Sequence, residues 1–135
     1  MKRRIFIRIL LHVFFPLLIG LLIYLFYRPN VWIAIQFNSR SVSYSEISNY
    51  TLFEKWIIFS GPDLCWAYSF ASAIFILNHF YKFSSHAVVF IMVSIFVGAS
   101  ELIQLFLKPN FTFALTDLVS VLIACSLSAY LNKKL

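Results

Sequence analysis

The sequence predicts an all-α membrane protein: a four-helix transmembrane bundle, N-in and C-in, with one long outer loop carrying interfacial segments. Three observations lead there. The 135 residues are 61% hydrophobic with a mean hydropathy of +0.87, which leaves too little polar surface to cover a soluble core of this size. The aromatic share is 19%, including 16 Phe, as suits lipid-facing helices and interfacial belts. The apolar residues also fall into runs long enough for spans, parted by polar or proline-bearing connections. The length fits a single transmembrane domain over residues 1–135.

The first span is expected at about 5–27, enough to cross roughly 30 Å of hydrocarbon. Lys2, Arg3 and Arg4 precede it, as they would in a secretory signal. The run is too long for that, however, and no small-x-small cleavage pattern follows. Pro16 and Gly20 inside the run predict a bend. Residues 28–62 read as the outer loop. Its "VWIAIQF" and "FEKWIIFS" are too short to span, and Trp32 and Trp56 suit segments lying at the interface.

The second span is expected at about 64–80, opened by "SGPD" with Asp63 as the N-cap. The turn "KFSSH" leads to a third span at about 87–107. Lys108-Pro109-Asn110 stops it, because proline cannot continue a helix. The fourth span is expected at about 112–131, closed by "NKKL". Cys65 and Cys125 fall inside spans without a CxxC or a histidine partner set. They read as buried small hydrophobes rather than as a disulfide or metal site.

The net charge of +6 reads as topology and not as a nucleic-acid surface, because the basic residues cluster beside apolar runs. With the N-terminus inside, Lys2, Arg3, Arg4, Arg8, Lys82, Lys133 and Lys134 lie inside and Arg28, Arg40, Lys55 and Lys108 outside. Seven against four sets the orientation.

Five acids occur in the chain, and Glu101 and Asp117 lie within apolar runs. A charge at mid-bilayer costs roughly 2.5–3.5 kcal/mol on insertion scales, so such a side chain faces a protein interior or a wet cavity. Both acids fall near the outer ends of consecutive helices joined by a short turn, hence at similar depth. Gln104 shares the Glu101 face, and Asp63 starts the second helix on the same side. Asp63, Glu101, Gln104 and Asp117 are therefore the candidate ligand-binding residues. Two stripes, Ser94–Gly98–Glu101 on the third helix and Asp117, Ser120 or Val121, Ala124 and Ser128 on the fourth, are expected to pack these helices together. The acids are open to two readings, a ligand or headgroup site and hydrogen-bonded glue between helices. His12 reads as a packing residue, and His79 and His86 as interfacial. No nucleophile elbow, phosphate loop, zinc motif or dinucleotide fingerprint occurs. Catalysis is not supported, and no cofactor or metal is expected.

The run "SELIQLFLKPNFTFALTDLVSVLIACSLSAYL" resembles the C-terminal half of the VanZ-like family. Glu101, Gln104 and Asp117 match its Glu-x-x-Gln and downstream Asp, and "GPDLCWAYSF" is similar to its Pro-Asp helix start. The resemblance covers roughly residues 60–131. Two features differ. No basic residue stands between Phe111 and Thr116, and Ser120, Val121, Ile123 and Ala124 replace the family's Asn and Gly. The resemblance implies a multi-pass protein of the bacterial inner membrane with a cell-envelope role, linked in that family to glycopeptide-type antibiotic resistance. Two functions are compatible with the residues. One is binding of an envelope lipid or headgroup by the outer-leaflet acids. The other is a non-catalytic interaction subunit whose acids hold a partner helix or a second copy.

Overall fold

The computed structural model describes residues 2–27, 49–103 and 115–133. Among them the chain is all helix and turn. The N-terminal helix comprises α1 (Lys2–Ile9), a π-helical turn (Leu10–Phe14) and α2 (Phe15–Tyr27). Then come α3 (Leu52–Tyr81), α4 (His86–Ile103) and α5 (Leu115–Asn132). Three segments are long and apolar enough to cross a membrane: Ile5–Tyr27, His86–Ile103 and Leu115–Asn132.

The bend expected from Pro16 takes the form of the π turn. A proline ring clashes with the carbonyl four residues back, here that of His12. Widening the preceding turn relieves the clash, and the Phe15 N–H bonds to the Leu10 carbonyl five residues back.

The largest departure from expectation is α3. It does not begin near residue 64. It is one helix of 30 residues from Leu52, and "FEKWIIFS" is its first two turns rather than a separate interfacial piece. Thr51 caps it. The Thr51 hydroxyl accepts from the Glu54 N–H at 3.3 Å, and the Thr51 N–H donates back to Glu54 Oε2 at 2.7 Å, forming a capping box. Pro62 lies inside the helix and Asp63 is not its cap. Proline frees the Ile58 carbonyl, a defect that membrane helices accept where neighbours pack closely. Ser60, Gly61 and Pro62 are all buried. The earlier interfacial segment at Trp32, the end of the third span near 107 and the start of the fourth near 112 lie outside the described residues.

Side-chain contacts fix the register of every pair. As the N-terminal helix climbs from His12 to Gly20 to Ile23, its neighbours on α3 step back from Tyr68 to Pro62 to Gly61, so the two are antiparallel. Phe70 stacks on Phe96 and Phe75 meets His86 edge-on, so α3 and α4 are antiparallel. Gly98 faces Leu118, and His86 bonds the Ala129 carbonyl, so α4 and α5 are antiparallel. Ser60 pairs with Thr116 and Ser72 with Ser128, each 56 residues apart. That constant offset makes α3 and α5 parallel. The result is an up-down-up-down bundle. The chain start, the α3–α4 turn and Asn132 share one end, called the basic end below after Arg8, Lys82 and Lys133.

The core is built from α3, α4 and α5: Ala67, Tyr68, Ala71 and Phe75 meet Val89, Val93 and Val97 and Val121, Ala124 and Cys125. The small-residue stripes pack differently from expectation. The Ser120–Ala124–Ser128 stripe of α5 is buried, but it faces α3, where Trp56 Nε1 donates to Ser120 (3.1 Å) and Ser72 meets Ser128 (2.9 Å). Contact with α4 uses the neighbouring stripe, with Leu118 against Gly98 and Cys125 beside Ser94. α5 is wedged between two helices, and the sequence pattern alone does not say which face meets which. Cys65 and Cys125 are free thiols, Cys125 fully buried.

Candidate functional site

The end of the bundle opposite the basic end collects the acids. Asp117 sits in the first turn of α5, where unpaired amides and the helix dipole favour a negative group. It is 8% exposed. The parallel register brings Ser60 of α3 against it, and the Ser60 hydroxyl donates to Asp117 Oδ1 at 2.5 Å. Thr116 Oγ1 lies 3.5 Å from the same hydroxyl. A hydroxyl carries one proton, so the short bond to the carboxylate holds the Ser60 proton and the 3.5 Å approach to Thr116 is the weaker contact. Ser120 donates back to the Thr116 carbonyl at 2.7 Å and accepts from Trp56. One polar chain thus runs Trp56–Ser120–Thr116–Ser60–Asp117 across the α3–α5 seam.

Glu101 is 4% exposed in the last described turn of α4. Continuing the Gly98–Leu118 register by one turn puts it level with residues 115–117, within about one turn of Asp117. Asp63 lies seven residues from Phe70 and Glu101 five from Phe96 toward the same end of the antiparallel α3–α4 pair. Those steps are roughly 10.5 and 7.5 Å at 1.5 Å per residue. All three carboxylates therefore share one level. They do not share one face. Asp117 turns to Ser60, while partly buried Asp63 lines a groove of about 380 Å³ between α2 and α3, with Leu17, Gly20, Leu21, Tyr24, Pro62 and Trp66. Gln104 lies outside the described residues.

The groove owes its floor to Gly20. A Cβ there would stand 2.9 Å from Cys65 Cβ and 3.3 Å from the Pro62 carbonyl oxygen, so only glycine allows this approach. His12 in the π turn packs on α3 as expected, its Nδ1 2.6 Å from the Tyr68 hydroxyl. The sequence reading missed Ser60, Trp56, Thr116 and Tyr68. Ser60 had a signal, the small Ser-Gly-Pro triplet one turn before Asp63, but reading it required knowing that the helix continues through Pro62.

Among the described residues no group of three metal-ligating side chains occurs. Chemically, the arrangement offers buried carboxylates with hydroxyl and indole donors at one level of the bundle, next to an apolar groove. That suits holding a polar or cationic group at the edge of an apolar phase. Comparison with family models, curated proteins and solved structures finds no match to the chain.

Proposed function

We propose that the protein is a four-span, N-in/C-in membrane protein of the bacterial cytoplasmic membrane that binds an envelope lipid or its headgroup at the outer-leaflet acids. Three spans have the length and apolarity required. The reading adds α3 as the fourth, sheltered from lipid by its neighbours and therefore free to carry Ser, Asp and Asn. The positive-inside excess at the basic end supports the orientation. The VanZ-like resemblance, carried by Glu101, Gln104 and Asp117, supports an envelope role, with glycopeptide resistance as the phenotype to examine first.

The observation that carries the ligand reading is the burial of Glu101 and Asp117 at one level, with Asp63 opening the neighbouring groove at that level. Helix glue needs one satisfied polar pair. Three carboxylates at one level of an otherwise apolar bundle exceed that need. Native mass spectrometry in mild detergent tests the reading. A lipid should be retained by the wild type and lost in Glu101→Gln. Retention of a protein partner or a second copy, with no lipid, would replace it with the interaction-subunit reading.

A further inference from the structure

The basic end holds a second cavity, unconnected with the acids. It measures about 210 Å³ and is lined by Phe75, Asn78, His79, His86, Asn132 and Lys133. The residues come from the C-terminal turns of α3, the start of α4 and the end of α5, which the up-down-up-down register brings together. The geometry points to a binding site for a phosphate group, either the headgroup of an anionic lipid or a free phosphate.

Among the described residues no Asp or Glu lines the cavity. Asp63, Glu101, Asp117 and Glu54 all lie toward the other end, whereas Arg8, Lys82 and Lys133 lie toward this one. A cavity with basic groups and no acid concentrates anions. Bonds inside the bundle hold Asn132 and His86 in place and use their N–H groups, so the donors left for a ligand are the Asn78 amide, His79 and Lys133. Asn132 is 6% exposed, and its Nδ2 is anchored on the Ser128 carbonyl at 2.9 Å, with Ser72 Oγ at 3.5 Å. Asn78 Oδ1 accepts the Ser84 N–H at 3.1 Å, which assigns the amide and leaves its NH₂ as a donor. His86 donates from Nε2 to the Ala129 carbonyl at 3.0 Å and packs edge-on against Phe75. The α4 N-terminus opens at His86; Ser85 Oγ accepts the Val88 N–H at 3.4 Å, and the positive end of the helix dipole favours an anion. The C-termini of α3 and α5 end nearby and disfavour one, and Lys82 and Lys133 at those ends offset them.

Among the described residues no third His, Cys, Asp or Glu joins His79 and His86 in a metal-ligand set. The volume suits a headgroup rather than a whole lipid, whose chains would lie along the outside of the bundle. His79 and Lys133 are exposed at the rim, while Asn132 forms the floor. The arrangement lets a phosphate enter from the interface without opening the bundle.

The test uses the full chain in mild non-ionic detergent, with dioctanoyl phosphatidic acid, dioctanoyl phosphatidylcholine and inorganic phosphate as probes in calorimetric titrations. Phosphatidic acid should bind more tightly than phosphatidylcholine. The double variant His79→Gln/Lys133→Gln should weaken it by roughly tenfold or more, the scale of one lost charge-assisted contact. Both positions are exposed, so the circular-dichroism spectrum should not change. Lys82→Gln, a charge at the same end that does not line the cavity, should bind as wild type. Competition by inorganic phosphate at similar concentration assigns free phosphate as the ligand, and competition only by the lipid assigns a headgroup. Equal binding of both lipids, an unaffected double variant, or an equal loss in Lys82→Gln would overturn the site. Failure here leaves the reading of the acids at the other end standing, because no residue is shared.

Discussion

The N-terminal helix and the α3–α4–α5 unit face the same apolar surroundings with different chemistry. Of the spanning window of the N-terminal helix, 6% is buried inside the protein, against 28% in α4 and 39% in α5. The N-terminal helix packs along one line on α3, and its interior contacts rest on Gly20 and on the His12–Tyr68 bond. Within the three-helix unit, a polar seam of Ser60, Ser72, Ser120, Ser128, Asp117 and Asn132 ties α3 to α5, while α4 packs on them through valines and the His86 bond to the Ala129 carbonyl. A helix surrounded by lipid needs apolar side chains all round. One shielded by other helices can use hydroxyls and amides for specificity, since apolar contact gives little preference for a protein neighbour over lipid. Association is therefore shape-driven at the N-terminal helix and hydrogen-bond-driven between α3 and α5.

The seam should be the more sensitive of the two. Ser60→Ala leaves the buried Asp117 carboxylate without its closest donor, and stability should fall by about 1–3 kcal/mol, toward the upper end for a charged group. Thermal unfolding in detergent reads this. A melting point equal to wild type would mean that water or another residue satisfies Asp117, and the seam would lose its claim to hold α3 to α5.

Two glycines provide a matched pair across the regions. At Gly20 a new methyl meets Cys65 and the Pro62 carbonyl within 3.3 Å, so Gly20→Ala should cost roughly 1–3 kcal/mol of overpacking, partly offset by about 1 kcal/mol of helix propensity. At Gly98 the methyl meets only Leu118 Cδ1 at 3.8 Å, so Gly98→Ala should be neutral or stabilising by up to about 1 kcal/mol. Spin labels on α2 and α3 should move apart in the first variant and stay put in the second. If both behave alike, close approach is not what attaches the N-terminal helix.

His12→Phe probes the side-chain hydrogen bond between the N-terminal helix and Tyr68 of α3. The ring volume is kept and the bond is lost, for a cost of about 0.6 kcal/mol on the scale measured for membrane interhelical bonds. A loss several times larger would make the π turn a polar clamp rather than a packing contact.

The smallest effect concerns Glu54, in the first turn of α3 ahead of the stretch proposed to span. The Thr51 N–H and hydroxyl both donate to Glu54 Oε2, and they hold its carboxyl below the usual range. A depressed carboxyl stabilises the helix start above the ordinary carboxylate pKa of about 4.3, and that contribution disappears as pH falls through the lower folded value. Amide exchange at Thr51 should speed up on acidification below that range. Glu54→Gln should flatten the dependence, whereas an unchanged profile in the variant would assign it to another group.

Much of this architecture was legible in the residues. An all-helical chain and apolar helices long enough to span, the first at 5–27, follow from run length and composition. The start of α3 was not legible. Proline before an acid reads as a helix start, and the Thr51–Glu54 box thirteen residues back from Leu64 looked like loop chemistry. Only packing around Ser60, Gly61 and Pro62 carries the helix through its own defect. The facing of α5 was also hidden. Its small-residue stripe and the neighbouring Leu118–Cys125 face could each meet α4 in one dimension, and the 56-residue offset that turns the first toward α3 exists only in three dimensions.

The sequence by itself determined that apolar helices form, because period and rise are local properties of the chain. The tertiary structure decided which hydroxyl meets which carboxylate, that Asp63 faces a different groove from Asp117, and that Asn78, His79, His86, Asn132 and Lys133 share a cavity. Those relations join residues up to 64 apart, and no local pattern encodes which helix a given stripe will meet.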